Sequence, residues 1–143
     1  MLQEVTDHLK NTIIPFWESM RDDEYGGYYG WKGYDLQVDK KYEKGCILNS
    51  RILWFFSNAY MTLHEHMLLD NAFHAYGFME EHCLDRVNGG ILWSVTYDGR
   101  PADTTKHTYT QAFAIYALAS YYDASKDKKA LDEAYKLFEL IEK

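Results

Sequence analysis

One arginine interrupts an otherwise apolar helical segment of this 143-residue sequence. Residues 43–56 read EKGCILNSRILWFF, and Arg51 lies near the middle of this run. An unpaired guanidinium buried in such a helix would cost several kcal/mol, so Arg51 needs a carboxylate, backbone carbonyls or a polar cavity around it. From composition alone, a structural ion pair and a cavity that holds a ligand both remain open.

Other polar residues accompany Arg51 at spacings that suit a lined cavity. Lys44, Arg51 and Asn58 are spaced seven apart and therefore share one helix face. A second group lies near the amino end of a later apolar helix: Lys106, His107, Tyr109 and Gln111. Helix amino ends carry partial positive charge and free N–H groups, so two such ends at one cavity favour an anion or an oxygen-rich ligand.

Several other kinds of chemistry lack support in the sequence. His64 and His66 form an H-x-H pair in a turn, but no third ligand is near, so we predict no metal site. We assign the remaining histidines, His8, His74 and His82, to peripheral helices. The sequence has no P-loop, no dinucleotide-binding glycine pattern and no G-x-S-x-G motif, so phosphate and acyl-transfer chemistry have no motif.

Charge and composition narrow the partners and the compartment. Acidic residues outnumber basic ones by 22 to 15, the formal charge is −7, and the basic residues form no cluster, which argues against nucleic acid or an anionic membrane as a partner. No apolar segment has the length of a signal-peptide core or a membrane span, which predicts a cytoplasmic protein. Cys46 and Cys83 lack C-x-x-C spacing and are predicted to be reduced core residues.

An internal repeat of about sixty residues organises the chain. The stretch DDEYGGYYGWKGYD at 22–35 matches LDRVNGGILWSVTYD at 84–98, with the two Gly-Gly pairs 63 residues apart. At a shift of 62 residues, further matches pair Lys44 with Lys106, Asn49 with Gln111, Trp54 with Tyr116, and Tyr60 with Tyr122. Each unit contains a helix, a Gly-Gly turn, an alternating aromatic stretch that predicts a β-hairpin, and a second helix.

The periodicity predicts two layers of helices. Predicted helices cover 3–20, 43–63, 67–84, 104–123 and 128–143, and loops with hairpins cover 22–41 and 86–102; Pro15 predicts a kink or a late helix start. Helices 43–63 and 104–123 are apolar nearly all round and should be buried, whereas 67–84 and 128–143 are amphipathic and should cover them. The fold class is therefore all-α, with helical hairpins as in an α/α toroid.

Two and a half helical hairpins cannot close such a ring. We therefore expect residues 1–143 to be an amino-terminal fragment of one longer domain, or else a half-ring that closes by self-association. A half-ring would expose apolar helix faces, which drive association.

Several long segments resemble a known family. They are TIIPFWESMRDDEYGGYYG, KGCILNSRILWFFSNAY and NGGILWSVTYDGRPADTTKHTYTQAFAIYALASYY. These segments are similar to the amino-terminal third of the N-acylglucosamine 2-epimerase family, in particular to the members that act on cellobiose. The resemblance implies an (α/α)6 barrel with a central cleft and no metal or organic cofactor. It also implies inversion at C2 of the reducing-end glucose, giving glucosyl-mannose, by proton abstraction through a cis-enediolate.

The resemblance also suggests roles for particular residues. Arg51 matches the family's essential cleft arginine and would stabilise the enediolate as a catalytic residue, and Tyr109 matches a cleft tyrosine that hydrogen-bonds the sugar. We group Lys106, His107 and Asn49 with Tyr109 as candidate substrate-binding residues. In the family the histidines that transfer protons lie in the carboxy-terminal two thirds, so we assign no acid/base role to His107 and expect this chain alone to be inactive.

Two alternatives remain open at this stage. A related isomerase or epimerase could act on a monosaccharide, either mannose or an N-acylglucosamine, instead of a disaccharide. The chain could also be a non-catalytic helical module that self-associates or binds sugar without turning it over.

Overall fold

Helices of this chain alternate with long loops that carry short strands. The computed structural model describes residues 1–142. The helical elements are α1 (Leu2–His8), a π-helical turn (Leu9–Ile13), α2 (Ile14–Glu18), α3 (Cys46–Leu63), α4 (His66–Phe78), a second π-helical turn (Met79–Cys83), α5 (Thr108–Ser125) and α6 (Lys128–Ile141). Pro15 lies in the first turn of α2, directly after the π-helical turn, where a proline without an N–H is tolerated.

The helices pack in the two layers that the sequence predicts. Helices α3 and α5 lie against each other, α4 packs on α3, and α6 packs on α5. Small residues at the contacts let the helices approach closely, and larger apolar side chains fill the remaining space. This core includes Leu53, Phe56, Ala72, Ala75, Ala114, Ala117, Leu118, Ala130 and Leu137. Amphipathic α6 therefore covers apolar α5, and the layer assignment is confirmed.

The strands link the two long loops more than the sequence indicates. Strands β1 (Lys44–Gly45), β2 (Ser94–Val95) and β3 (Pro101–Asp103) form one antiparallel sheet in that order. The β2–β3 pair is the hairpin expected in the second loop. The first loop has two isolated antiparallel bridges, Arg21–Tyr28 and Lys32–Val38, instead of a regular ladder. Because residues 44 and 45 pair with β2, α3 begins at Cys46 and not at residue 43.

Each Gly-Gly turn is covered by a side chain from an outer helix. Gly27 has φ +67, and a Cβ there would lie 2.6 Å from the ring of Phe78 and 2.8 Å from Asn49 Oδ1. Gly90 has φ +89, and a Cβ there would lie 3.1 Å from Leu140 and from Gln111 Oε1. Both the backbone conformation and the lack of space therefore require glycine.

A lysine and an amide side chain hold each turn from the inner layer. Lys44 is buried, and its Nζ donates to Asp22 Oδ2 at 2.6 Å and to the Gly26 carbonyl at 2.7 Å. In the second unit Lys106 Nζ donates to Asp85 Oδ2 at 2.6 Å. Burial lowers the pKa of Lys44, although the Asp22 carboxylate opposes this shift. The Lys106 hydrogen bond is the main cause that holds the pKa of Asp85 below its ordinary value.

Replacement of Gly27 by alanine should destabilise the protein, because the new methyl group would overlap the Phe78 ring in a left-handed conformation. We expect a loss of at least about 2 kcal/mol in the free energy of unfolding. Gly77→Ala is the matched control, since a Cβ at this α4 position meets nothing within 4 Å. It should stabilise by about 0.5–1 kcal/mol. Urea denaturation monitored by circular dichroism measures both changes, and equal midpoints would contradict this account.

Loss of the buried lysine should be costlier than loss of its repeat equivalent. Lys44→Met leaves the Asp22 carboxylate buried without its cation, and we expect a loss of about 3 kcal/mol or more in stability. Lys106→Met should cost less, because both members of that pair are partly exposed to solvent. Thermal and urea unfolding of the two variants give the comparison. A Lys106→Met variant that is the less stable of the two would refute this ranking.

Candidate functional site

A cleft between the inner helices contains the arginine that the sequence analysis singled out. Arg51 comes from the second turn of α3 and Tyr109 from the first turn of α5. Both line a cleft of about 430 Å³. The other lining residues are mostly apolar: Trp17, Ile47, Leu48, Ile52, Trp54 and Phe55. An apolar cleft with a few polar groups is the usual form of a small-molecule site.

A larger groove of about 690 Å³ runs along the outer helix α4. Its lining is rich in charged side chains, and it contains neither Arg51 nor Tyr109. Its two histidines bond backbone carbonyls: His74 Nε2 is 2.9 Å from the Gly27 oxygen and His82 Nδ1 is 3.0 Å from the Gly99 oxygen. Burial lowers the pKa of His74. These contacts give both histidines a structural role, so we place the candidate site in the smaller cleft.

Arg51 is exposed to solvent at this cleft and is not buried in the helix layer. Within residues 1–142, no carboxylate lies within ion-pair distance of its guanidinium group. Its nearest aromatic neighbour is Phe113, whose ring centre is 5.5 Å from the guanidinium carbon, a cation–π distance. The structural ion pair left open by the sequence is therefore not formed here. The five N–H donors of Arg51 remain available to a ligand.

Phe113 connects the two polar residues of the cleft. Its ring packs edge-to-face against Tyr109, with ring centres 5.2 Å apart, and on its other side it meets Arg51. The sequence analysis did not identify Phe113. The repeat could have done so, because Phe113 lies 62 residues after Arg51 and is therefore its equivalent in the second unit.

The structure does not bring Asn49 and Lys106 to this cleft. Asn49 is fully buried, its Oδ1 accepts the Tyr28 N–H at 3.0 Å, and its Nδ2 donates to the Gly45 carbonyl at 3.2 Å. Its equivalent Gln111 bonds both the N–H and the carbonyl of Ile91. Asn49 and Lys106 thus support the loops around the Gly-Gly turns. Asn58 likewise donates to the Trp54 carbonyl, so the polar stripe on α3 does not line one cavity.

His107 lies at the amino end of α5, immediately before the helix. Its exposed imidazole packs edge-to-face against Trp93, with ring centres 4.9 Å apart. It is not among the side chains that line the cleft. His107 therefore lies near the mouth of the cleft and not at Arg51.

Three further observations concern the part of the chain that the structure describes. Residues 1–142 contain no group of three or more side chains that could hold a metal ion. No helix there combines the length and apolar character needed to cross a membrane. Both cysteines, Cys46 and Cys83, are buried and free, as predicted.

Comparison with known proteins places these features in one family. The family model for N-acylglucosamine 2-epimerase (GlcNAc 2-epimerase) matches residues 27–143. A cellobiose 2-epimerase of Ruminococcus albus is 59% identical over 143 residues, which is 100% of this chain and 37% of that protein. The chain therefore spans little more than a third of the length of this curated relative.

Solved structures agree with this match. A sugar epimerase from a ruminal bacterium has a TM-score of 0.95 at 58% identity, covering 97% of this chain and 36% of that one. The cellobiose 2-epimerase of Bacillus thermoamylovorans has a TM-score of 0.97 at 46% identity, covering 98% of this chain and 36% of its own. These similarities confirm the predicted fold class, part of an (α/α)6 barrel.

Proposed function

The chain belongs to the N-acylglucosamine 2-epimerase family, and we propose that it is the amino-terminal portion of an enzyme that inverts C2 of the reducing-end glucose of cellobiose. The observation that carries this proposal is the guanidinium of Arg51, exposed beside Tyr109 in an apolar cleft without an ionic partner in residues 1–142. The 59% identity to a cellobiose 2-epimerase over the whole chain supports cellobiose as the substrate.

The proposed chemistry explains why a cation is needed in this cleft. Removal of the C2 proton from the open-chain sugar produces a cis-enediolate, and negative charge develops on its oxygens. A preorganised donor beside these oxygens lowers the barrier, because it stabilises the charge as it forms. The planar donor fork of Arg51 suits two adjacent oxygens, and the Tyr109 hydroxyl can hydrogen-bond another hydroxyl of the sugar.

The acid and base of the reaction must come from outside the described cleft. None of the histidines in residues 1–142 lines the cleft with Arg51 and Tyr109. Proton transfer at C2 requires a group with a pKa near neutrality on each face of the sugar. We propose that the rest of the intact enzyme supplies these groups and that the 143-residue chain alone does not turn over cellobiose.

Apolar side chains on the last two helices favour a second candidate property. Tyr116, Tyr135 and Phe138 are each more than half exposed. In the proposed enzyme the next helices of the barrel cover such residues, whereas an isolated chain would tend to self-associate through them. Sedimentation velocity of the isolated chain at increasing concentration tests this, and a monodisperse monomer would argue against it. We also propose a cytoplasmic location, which the two free cysteines support.

Exchange of the C2 proton is the direct test of the proposed function. The intact protein is incubated with cellobiose in D2O, and NMR follows the C2 proton of the reducing glucose. We expect loss of this signal together with a new mannose-type anomeric signal. Parallel incubations with mannose and N-acetylglucosamine separate the related activities. A folded, intact protein that catalyses no exchange with any of these sugars would overturn the proposal.

Arg51→Ala should abolish turnover while leaving the fold intact. We expect activity to fall by at least about 100-fold, as for loss of one preorganised donor, and stability to change by less than about 1–2 kcal/mol. Arg51→Lys should retain only part of the activity, because lysine keeps the charge but lacks the planar fork. Arg100→Ala is the control, since Arg100 is an exposed arginine paired with Asp98 away from the cleft. Unfolding of the Arg51→Ala protein would indicate a structural role instead.

A further inference from the structure

Trp93 is an exposed ring in an otherwise buried stretch of chain. From Ile91 to Val95 its neighbours are 0–5% exposed, whereas Trp93 is 36% exposed. Its backbone is fixed on both sides, because its N–H donates to the Asp103 carbonyl at 3.1 Å and its carbonyl accepts the Cys46 N–H at 3.0 Å. Cys46 is the first residue of α3, so Trp93 is attached to the amino end of the helix that carries Arg51.

The indole of Trp93 also reaches the amino end of the second inner helix. It packs against His107 with ring centres 4.9 Å apart and an interplanar angle of 73°, and His107 immediately precedes α5. The Trp93–His107 pair therefore bridges the amino ends of both inner helices. Arg51 lies five residues beyond Cys46, which is about 7.5 Å along the helix axis at the usual rise per residue. Tyr109 follows His107 by two residues and lies between these two levels.

The fold itself does not require a ring at this position. By the Gly-Gly register, the equivalent of Trp93 in the first unit is Gly30. A Cβ at Gly30 would lie only 1.8 Å from the Glu43 carbonyl oxygen, so the first unit excludes any side chain there. The second unit leaves room for an indole and exposes it. A role in ligand binding accounts for this difference, whereas a requirement of the repeat does not.

We propose that the Trp93–His107 pair binds the non-reducing sugar ring of a disaccharide whose reducing-end ring lies beside Arg51 and Tyr109; this inference rests on the proposed function. The C–H face of a glucose ring packs on an indole, as apolar surfaces do on aromatic side chains. The imidazole of His107 carries a donor and an acceptor for sugar hydroxyl groups. Two rings joined by one glycosidic oxygen can extend from the level of Arg51 to the mouth of the cleft.

The test uses the intact protein and separates binding of the second ring from catalysis. Trp93→Ala should raise KM for cellobiose about tenfold, the loss expected for one aromatic contact, while kcat stays within about twofold. Turnover of mannose, which has no second ring, should be unchanged. Trp93→Phe should restore most of the affinity for cellobiose. Trp31→Ala is the matched control, because Trp31 is a half-exposed tryptophan of the first loop and should leave both substrates unaffected.

Three results would overturn the inference. They are an unchanged KM for cellobiose in Trp93→Ala, an equal loss with both sugars, and a fall in kcat that accompanies a lower unfolding temperature. Absence of turnover in the wild-type protein would instead overturn the proposed function. In that case calorimetric titration tests the subsite by itself: the wild type must bind cellobiose more tightly than glucose, and Trp93→Ala must remove the difference. Equal binding of the two sugars by the wild type would refute the subsite.

Discussion

The ammonium group of Lys44 is fully buried at the junction between the first loop and the inner helix α3, 2.6 Å from the carboxylate of Asp22. A charge in that position is stable only if it stays paired, because the cost of an isolated buried ion exceeds the gain from most other contacts. Lys44 also bonds the carbonyl of Gly26, so the ion pair fixes the Gly-Gly turn to the helix. The register of loop, turn and helix therefore depends on this one interaction.

The second unit repeats the same arrangement with weaker chemistry. Asp85 and Lys106 are partly exposed, and the carboxylate is additionally held by the N–H groups of Val87 and Asn88. Because the two loops share the sheet β1–β2–β3, the buried pair of the first unit also restrains the second. This connection holds the amino ends of α3 and α5 beside each other. Arg51 and Tyr109 consequently reach the same cleft from different helices.

The sequence predicted those features that depend on a repeated pattern. The period of about sixty residues and the contrast between apolar and amphipathic helices were sufficient for the two layers, and Arg51 stood out as a charge among apolar residues. The pattern could not show which way a polar side chain turns at a helix end. Asn49 and Lys106 face the Gly-Gly loops, although they lie close in sequence to residues of the cleft. Phe113 and Trp93 were missed because aromatic residues of the core and of a ligand site look alike in sequence.

Arg51 also differs physically from the other cations on the inner helices. Lys44 and Lys106 each have a carboxylate at 2.6 Å, and the chain carries 22 acidic residues, yet within residues 1–142 none pairs with Arg51. An exposed guanidinium is well solvated, so leaving it unpaired costs little stability in an open cleft. In the proposed enzyme, helices that complete the barrel would exclude much of this water. The attraction between Arg51 and an enediolate would then strengthen because the local dielectric falls, and the charge that is weakly used in this chain would become the stabilising group of the reaction.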